Sequence, residues 1–220
     1  MDHTHKAQFR RIASRVTIVA HLFGLIAGIL LLIWLLHYRG GLDLHSNSTD
    51  RIFNVHPFLM FGFILMAGEA MMAYRTVTAE HKVQKFFHSA VHLIAFVLGI
   101  IGIHAVFKYH NKVGLADMYS LHSWLGMGAF CLFGLQWLFG VFSFWLPNSS
   151  TQARERILPF HVFGGRTLLY LTICVAETGL MEKATIMQLQ HGNESRLLNF
   201  TGLFILFFGI AVDLSLSLRF

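Results

Sequence analysis

Six stretches of this chain carry almost no polar residues, and the short segments between them hold most of its charge. The apolar runs fall at roughly 13–37, 54–75, 85–108, 119–146, 157–181 and 197–218. Each is close to the roughly 20 residues that a helix needs to cross the hydrocarbon of a bilayer. Backbone groups inside lipid must be satisfied within the segment, so helices are the expected form. The pattern therefore predicts an all-α membrane protein of six transmembrane helices. Short loops leave no length for a separate soluble domain, so residues 1–220 are expected to form one domain. Pro57 and Pro159 are placed in the first turns of the second and fifth helices, where a missing N–H costs little, and Pro147 is expected to close the fourth.

Composition agrees with this pattern. The chain is 55% hydrophobic with a mean hydropathy of +0.58, and only 13% of its residues are charged, about half the share in a soluble domain. A net charge of +6 would suggest a nucleic-acid partner in a soluble protein, but here the basic residues lie in loops and report topology, so none is expected. One side carries Lys6, Arg10, Arg11, Arg15, Arg75, Lys82, Lys85, Arg154, Arg156 and Arg219; the other carries Arg39, Arg51, Lys108, Lys112, Lys183 and Arg196. Ten against six places both termini in the cytosol by the positive-inside rule. Sequons at Asn47 and Asn193 then lie outside, where sugars can be added, and the one at Asn148 lies inside. The first apolar run is read as a retained helix, because no short h-region with a small-residue cleavage site is present. Cys131 and Cys174 sit within apolar runs and are expected as small core residues rather than a disulfide.

Fourteen histidines need an explanation, because ionisable side chains within spans are costly and usually functional. His3, His5, His37, His45, His81 and His191 lie in tails, loops or interfaces and are read as solvated. His21 and His104 sit singly on apolar helices, where a hydrogen-bonded packing role is expected. The remaining pattern is different. His56 and His122 open the second and fourth helices at the outer side; His88 and His161 open the third and fifth at the inner side. The four middle helices thus supply two facing pairs, and two imidazoles from opposite helices are a standard way to fix a six-coordinate haem in a bundle core. The expected fold is a central four-helix bundle holding two b-type haems, outer on His56/His122 and inner on His88/His161. With a hydrocarbon core of about 30 Å and a rise of 1.5 Å per residue, the two levels are expected about 20 Å apart. His92 lies four residues after His88 on the same helix face. It is an alternative ligand or a group supporting one, with His88 preferred on depth. Gly24 and Gly28 are spaced for close helix packing, or leave room for a flat macrocycle.

These residues resemble the cytochrome b-561 family of transmembrane ascorbate-dependent reductases, from about Phe23 to Asp213. The most specific piece is Tyr119-Ser120-Leu121-His122-Ser123-Trp124-Leu125-Gly126. Asn54-Val55-His56-Pro57, Gly68-Glu69-Ala70-Met71-Met72-Ala73-Tyr74-Arg75, Pro159-Phe160-His161-Val162-Phe163 and Thr178-Gly179-Leu180-Met181-Glu182-Lys183 agree as well. The resemblance implies the same four haem ligands. It also implies an oxidoreductase that takes one electron from cytosolic ascorbate and passes it through both haems. The acceptor on the far side would be monodehydroascorbate or a ferric chelate. It further suggests a homodimer, in a vacuolar, lysosomal or other endomembrane or in the plasma membrane.

Ascorbate is an anion, so its site wants cations near the inner haem. Lys85 lies one turn before His88, and Lys82, Arg75 and Arg154 share that side; each is singly also an ordinary positive-inside residue. Lys85 is the strongest candidate, and the family's cytosolic basic residue falls there. On the outer side the resemblance places His110 and Tyr119 at acceptor-site positions, and an imidazole such as His110 could take up the proton that accompanies electron transfer. Arg166 is expected to pair with an inner-haem propionate in preference to Glu69. Glu177 and Asp213 also fall within spans, with no role assigned. Two other readings remain: a haem-less metal-ion or proton transporter using the membrane histidines, and a non-catalytic haem subunit of a larger complex.

Overall fold

The computed structural model describes residues 3–145 and 150–218, with backbone alone for residues 3–11 and 13. Pro147, Asn148 and Arg219 lie outside the described residues, as do the side chains of His3, His5, Lys6, Arg10 and Arg11. Six helices account for nearly all of the described chain: α1 (His3–Ile33), α2 (Thr49–Thr76), α3 (His81–Val113), α4 (Leu121–Phe144), α5 (Thr151–Ile186) and α6 (Asn193–Ser217). A π-helical turn, Trp34–Tyr38, extends α1. All six are long and apolar enough to cross a membrane, and no strand occurs among the described residues.

The helices pack mainly as three pairs, α2 with α3, α4 with α5, and α1 with α6. The α1–α6 pair lies against α2, and α6 also meets α5. Gly24 explains part of this: a Cβ there would lie 2.8 Å from Leu65 of α2 and 3.2 Å from Phe208 of α6. Gly28 meets Phe61 in the same way. Both glycines serve helix packing. Polar clasps finish the outer end. Asn54, 1% exposed, donates to the carbonyls of Arg39 and Gly41 at 2.9 and 2.7 Å. Glu194 accepts from Trp34 Nε1 at 3.0 Å and pairs with Arg39.

Several sequence expectations need correction. Helices α2 and α5 begin earlier than their apolar runs, because polar turns precede the membrane-depth segments. Pro57 and Pro159 therefore each stand ninth in their helix, two turns in rather than in the first turn. Cys131 and Cys174 are free but exposed on the bundle surface, not in the core. His21 does hydrogen-bond, to Glu69 at 2.8 Å; His104 is instead exposed on α3.

Candidate functional site

The two expected histidine pairs are brought together. His56 and His122 have ring centres 6.2 Å apart, and so do His88 and His161. Metal–imidazole bonds of about 2.0–2.1 Å, with each ring centre roughly 1 Å behind its nitrogen, put two ligating rings about 6 Å apart. Both pairs fit a metal held between them.

Hydrogen bonds fix which nitrogen is offered. The Nδ1 of His56 donates to the Gly102 carbonyl at 3.0 Å, that of His88 to Ala70 at 2.8 Å and that of His122 to Val175 at 2.9 Å. An Nδ1 proton held by a carbonyl leaves the Nε2 lone pair free, the state a metal ligand requires. His161 is the exception. Its Nδ1 lies 3.2 Å from Gln136 Nε2, which also donates to the His161 carbonyl at 2.7 Å. Here Gln136 donates and His161 Nδ1 accepts; presenting Oε1 to an Nδ1 proton instead requires the carboxamide to turn and release the His161 carbonyl.

One register generates all four contacts. Gly102 follows His88 by fourteen residues, Ala70 follows His56 by fourteen, Val175 follows His161 by fourteen, and Gln136 follows His122 by fourteen. Fourteen residues is nearly four turns, so each helix presents its own histidine and its support for a partner's histidine on one face, about 21 Å apart. At 1.5 Å per residue the two levels lie about that far apart along each helix. On α4 and α5 the register extends by one more turn. A Cβ at Gly179 would lie 2.7 Å from the His122 ring, and one at Gly140 would lie 2.9 Å from the His161 ring. Each glycine follows its own helix's histidine by eighteen residues. Neither ring could sit there against a larger residue.

Serines set the position of His122. Ser120 Oγ accepts from the Ser123 N–H at 3.2 Å and Ser123 Oγ accepts from the Ser120 N–H at 3.1 Å, a reciprocal cap at the start of α4. His122 is the second residue of that helix. Ser120 Oγ also donates to Glu182 at 2.9 Å, which ties this end to α5.

At the His88–His161 level a cavity of about 1460 Å³ joins this pair to Arg75, Lys85 and Arg154. Lys82 is exposed nearby and does not line it. Lys85 Nζ donates to the Phe144 carbonyl at 2.9 Å and lies 4.9 Å from the Trp145 ring, so it closes the C-terminus of α4. His92 stands against His88, ring centres 4.6 Å apart; it lines the same cavity, and its buried Nδ1 has no partner among the described residues. An orphaned buried nitrogen facing a large cavity fits a site that accommodates a further group. Tyr74, with its ring 5.4 Å from His88, and Phe144, 5.2 Å from His161, were not singled out in the sequence.

At the end of the bundle nearer the His56–His122 pair, His110 Nδ1 donates to Asp117 at 2.8 Å, and Tyr119 stands 6.3 Å from His110. Tyr119 donates to Glu182 at 3.1 Å. Burial and that carboxylate push the phenol up from its ordinary value, so it stays protonated. Lys183 Nζ lies 3.8 Å from the centre of the Phe53 ring. Asp117, Glu182 and Lys183 were missed as site residues, because their partners are far away in sequence or lie in a loop. Arg166 does not pair with Glu69, and it lines the cavity that holds the His88–His161 pair. Its guanidinium grips Asp213 of α6 at 2.5 and 2.9 Å, with Ser217 at 2.9 Å, and Tyr170 donates to the same carboxylate at 3.0 Å. Glu69 is engaged by His21 from α1, and α6 supplies the carboxylate nearer to Arg166.

Residues 55–187 match the family described as eukaryotic cytochrome b561. The chain belongs to that family. A probable ascorbate-specific transmembrane electron transporter of Oryza sativa subsp. japonica is 42% identical over 206 residues, covering 91% of this chain and 88% of the relative. A transmembrane ascorbate ferrireductase of Arabidopsis thaliana is 40% identical over 210 residues, 93% of this chain and 88% of its own. A transmembrane ascorbate-dependent reductase of Sus scrofa is 41% identical over 186 residues, covering 81% and 72%. This cytochrome b561 is thus an oxidoreductase with membrane-spanning helices, and its family implies b-type haem.

Proposed function

We propose that the protein passes single electrons across the membrane from cytosolic ascorbate to monodehydroascorbate or a ferric chelate on the other side. His56 with His122, and His88 with His161, would each hold one b-type haem, the outer and the inner. The observation that carries this reading is the pair of equal 6.2 Å ring separations at two levels. A haem held between two imidazoles supplies reversible one-electron exchange without an open iron position. Both termini lie in the cytosol in this reading, and the homodimer suggested by the resemblance belongs to it as well.

The residues divide the remaining work. Arg75, Lys85 and Arg154 share one cavity with the inner histidines, so an anionic donor is drawn to within reach of that level. Lys82 adds positive charge at the mouth. The names of the rice, Arabidopsis and pig relatives support ascorbate as that donor. On the outer side, His110, oriented by Asp117, and Tyr119, oriented by Glu182, form the acceptor site. His110 takes or gives the proton that accompanies the electron. The alternative of a metal-ion pathway wants clustered ligands, and among the described residues no group of three or more His, Cys, Asp or Glu gathers to hold an ion.

The test is a visible spectrum of the purified protein, oxidised and then treated with ascorbate, with haem quantified per chain. Two haems per chain and an ascorbate-reduced b-type band are expected; a colourless protein would end the reading.

A further inference from the structure

Glu177 lies within the α5 span and is used by nothing described above. It lines a pocket of about 420 Å³ between α5 and α6, and no other ionisable side chain lines that pocket. Its Oε1 is buried and has no hydrogen-bond partner among the described residues. Helix α6 leaves space for the carboxyl: a Cβ at Gly202 would lie 2.6 Å from Oε2. Glu177 is nine residues from the C-terminal end of α5, about 13 Å below it. The pocket nonetheless includes Gln188 and Gln190 of the loop that follows, so it links this depth to the outer surface.

The position relative to the outer histidines gives the carboxyl a purpose. Val175 accepts the Nδ1 proton of His122, and Gly179 packs on its ring. Glu177 lies midway between them in sequence, and two residues turn the helix by about 200°. The same turn of α5 therefore holds His122 on one side and presents Glu177 to the pocket on the other. An unpartnered carboxylate in a low-dielectric setting is costly, whereas the neutral acid is tolerated. Positive charge at the His122 level favours the anion, and an arriving electron removes that help.

We propose that Glu177 is a proton-binding site of the outer level. It takes one proton from the outer aqueous phase through the pocket as one electron arrives at the His56–His122 level, and it returns that proton to the same phase as the electron leaves. This rests on the two-haem reading above. From α6, the groups facing Glu177 are Leu198, Asn199 and Gly202, all uncharged, and from the loop the two glutamines. Of the charged residues at the same end, Glu182 is engaged by Tyr119 and Ser120, Lys183 lies over Phe53, and Glu194 is held by Arg39 and Trp34. The sign follows. Reduction raises the proton affinity of Glu177, so the outer-level potential must fall as pH rises through its titration range.

Spectroelectrochemical titration of the purified holoprotein over a series of pH values tests this. In the wild type the outer-level potential is expected to fall with pH, and in Glu177→Gln that slope is expected to be smaller, with His110 supplying any remainder, while any inner-level slope is retained. Equal outer slopes in the two proteins would overturn the assignment. A second measurement needs no variant: the reduced-minus-oxidised infrared difference spectrum of the wild type should gain a protonated carboxyl band, and its absence would also overturn it. Haem content in the same samples separates the two claims. A chain without an outer haem overturns both, whereas a two-haem chain with a flat outer potential overturns only the proton site.

Discussion

At the residue scale, the most informative position is Gln136. Three of the four paired histidines give their Nδ1 proton to a backbone carbonyl, which no substitution can remove; the fourth depends on a side chain. Replacing a group that orients a metal-bound histidine typically costs about 10–100-fold in metal affinity. Gln136→Leu is therefore expected to weaken haem retention at the inner level by roughly that factor and to leave the outer level unchanged, as read by haem titration of the depleted protein. Gln136→Glu supplies an acceptor that cannot donate, and it should restore retention. Equal retention in Leu and wild type would mean that Gln136 does not orient His161. Lys85 gives a second prediction. Its ammonium is already hydrogen-bonded to Phe144, which holds it at the cavity wall. Losing one charged hydrogen bond to an anionic donor, worth about 1.5–3 kcal/mol, should raise the ascorbate concentration for half-reduction by roughly ten- to a hundredfold in Lys85→Ala. Haem content should not change, and an unaltered ascorbate response would place the donor site elsewhere.

At the scale of elements, the α5–α6 seam is closed by Arg166, Tyr170 and Ser217 around Asp213. Polar contacts between membrane helices contribute about 1–2 kcal/mol. Asp213→Ala is expected to lower the unfolding free energy in detergent by about that much, because it strands the guanidinium. The double variant Asp213→Ala with Arg166→Leu should recover part of the loss. The inner-level midpoint potential should stay put in both, as a propionate partner for Arg166 would not allow. Arg166 also shows where the sequence stops being legible. Hydropathy locates a charged residue inside a span but not the rotation of that helix against its neighbours, and Asp213 lies forty-seven residues away. The prolines fail for a related reason. Hydropathy marks where lipid begins, whereas α2 and α5 start about two turns earlier in polar sequence. His56, His88, His122 and His161 were legible because alternation of side and helix is a property of chain order alone. Their supports were written just as regularly, fourteen residues on. They were invisible because Ala70, Gly102 and Val175 act through carbonyls that have no side-chain signature.

At the scale of the molecule, the register makes each histidine pair depend on all four middle helices, but through positions fourteen residues apart, which places the pairs about 21 Å apart. The pairs are therefore separable. His122 is positioned by α4 caps and by α5, whereas His88 is positioned by α2, so removing one imidazole leaves the supports of the other level intact. His122→Ala should lose the outer haem, about half the haem per chain, and keep ascorbate reduction of the inner one. His88→Ala should lose the inner haem and leave an outer one that cytosolic ascorbate reduces far more slowly, because Arg75, Lys85 and Arg154 share their cavity with the inner pair. Vesicles with a single protein orientation make this decisive, since ascorbate can be confined to one side. If His88→Ala left fast reduction from the cytosolic side while His122→Ala abolished it, the donor would meet the His56–His122 level, and the assignment of inner and outer would have to be exchanged.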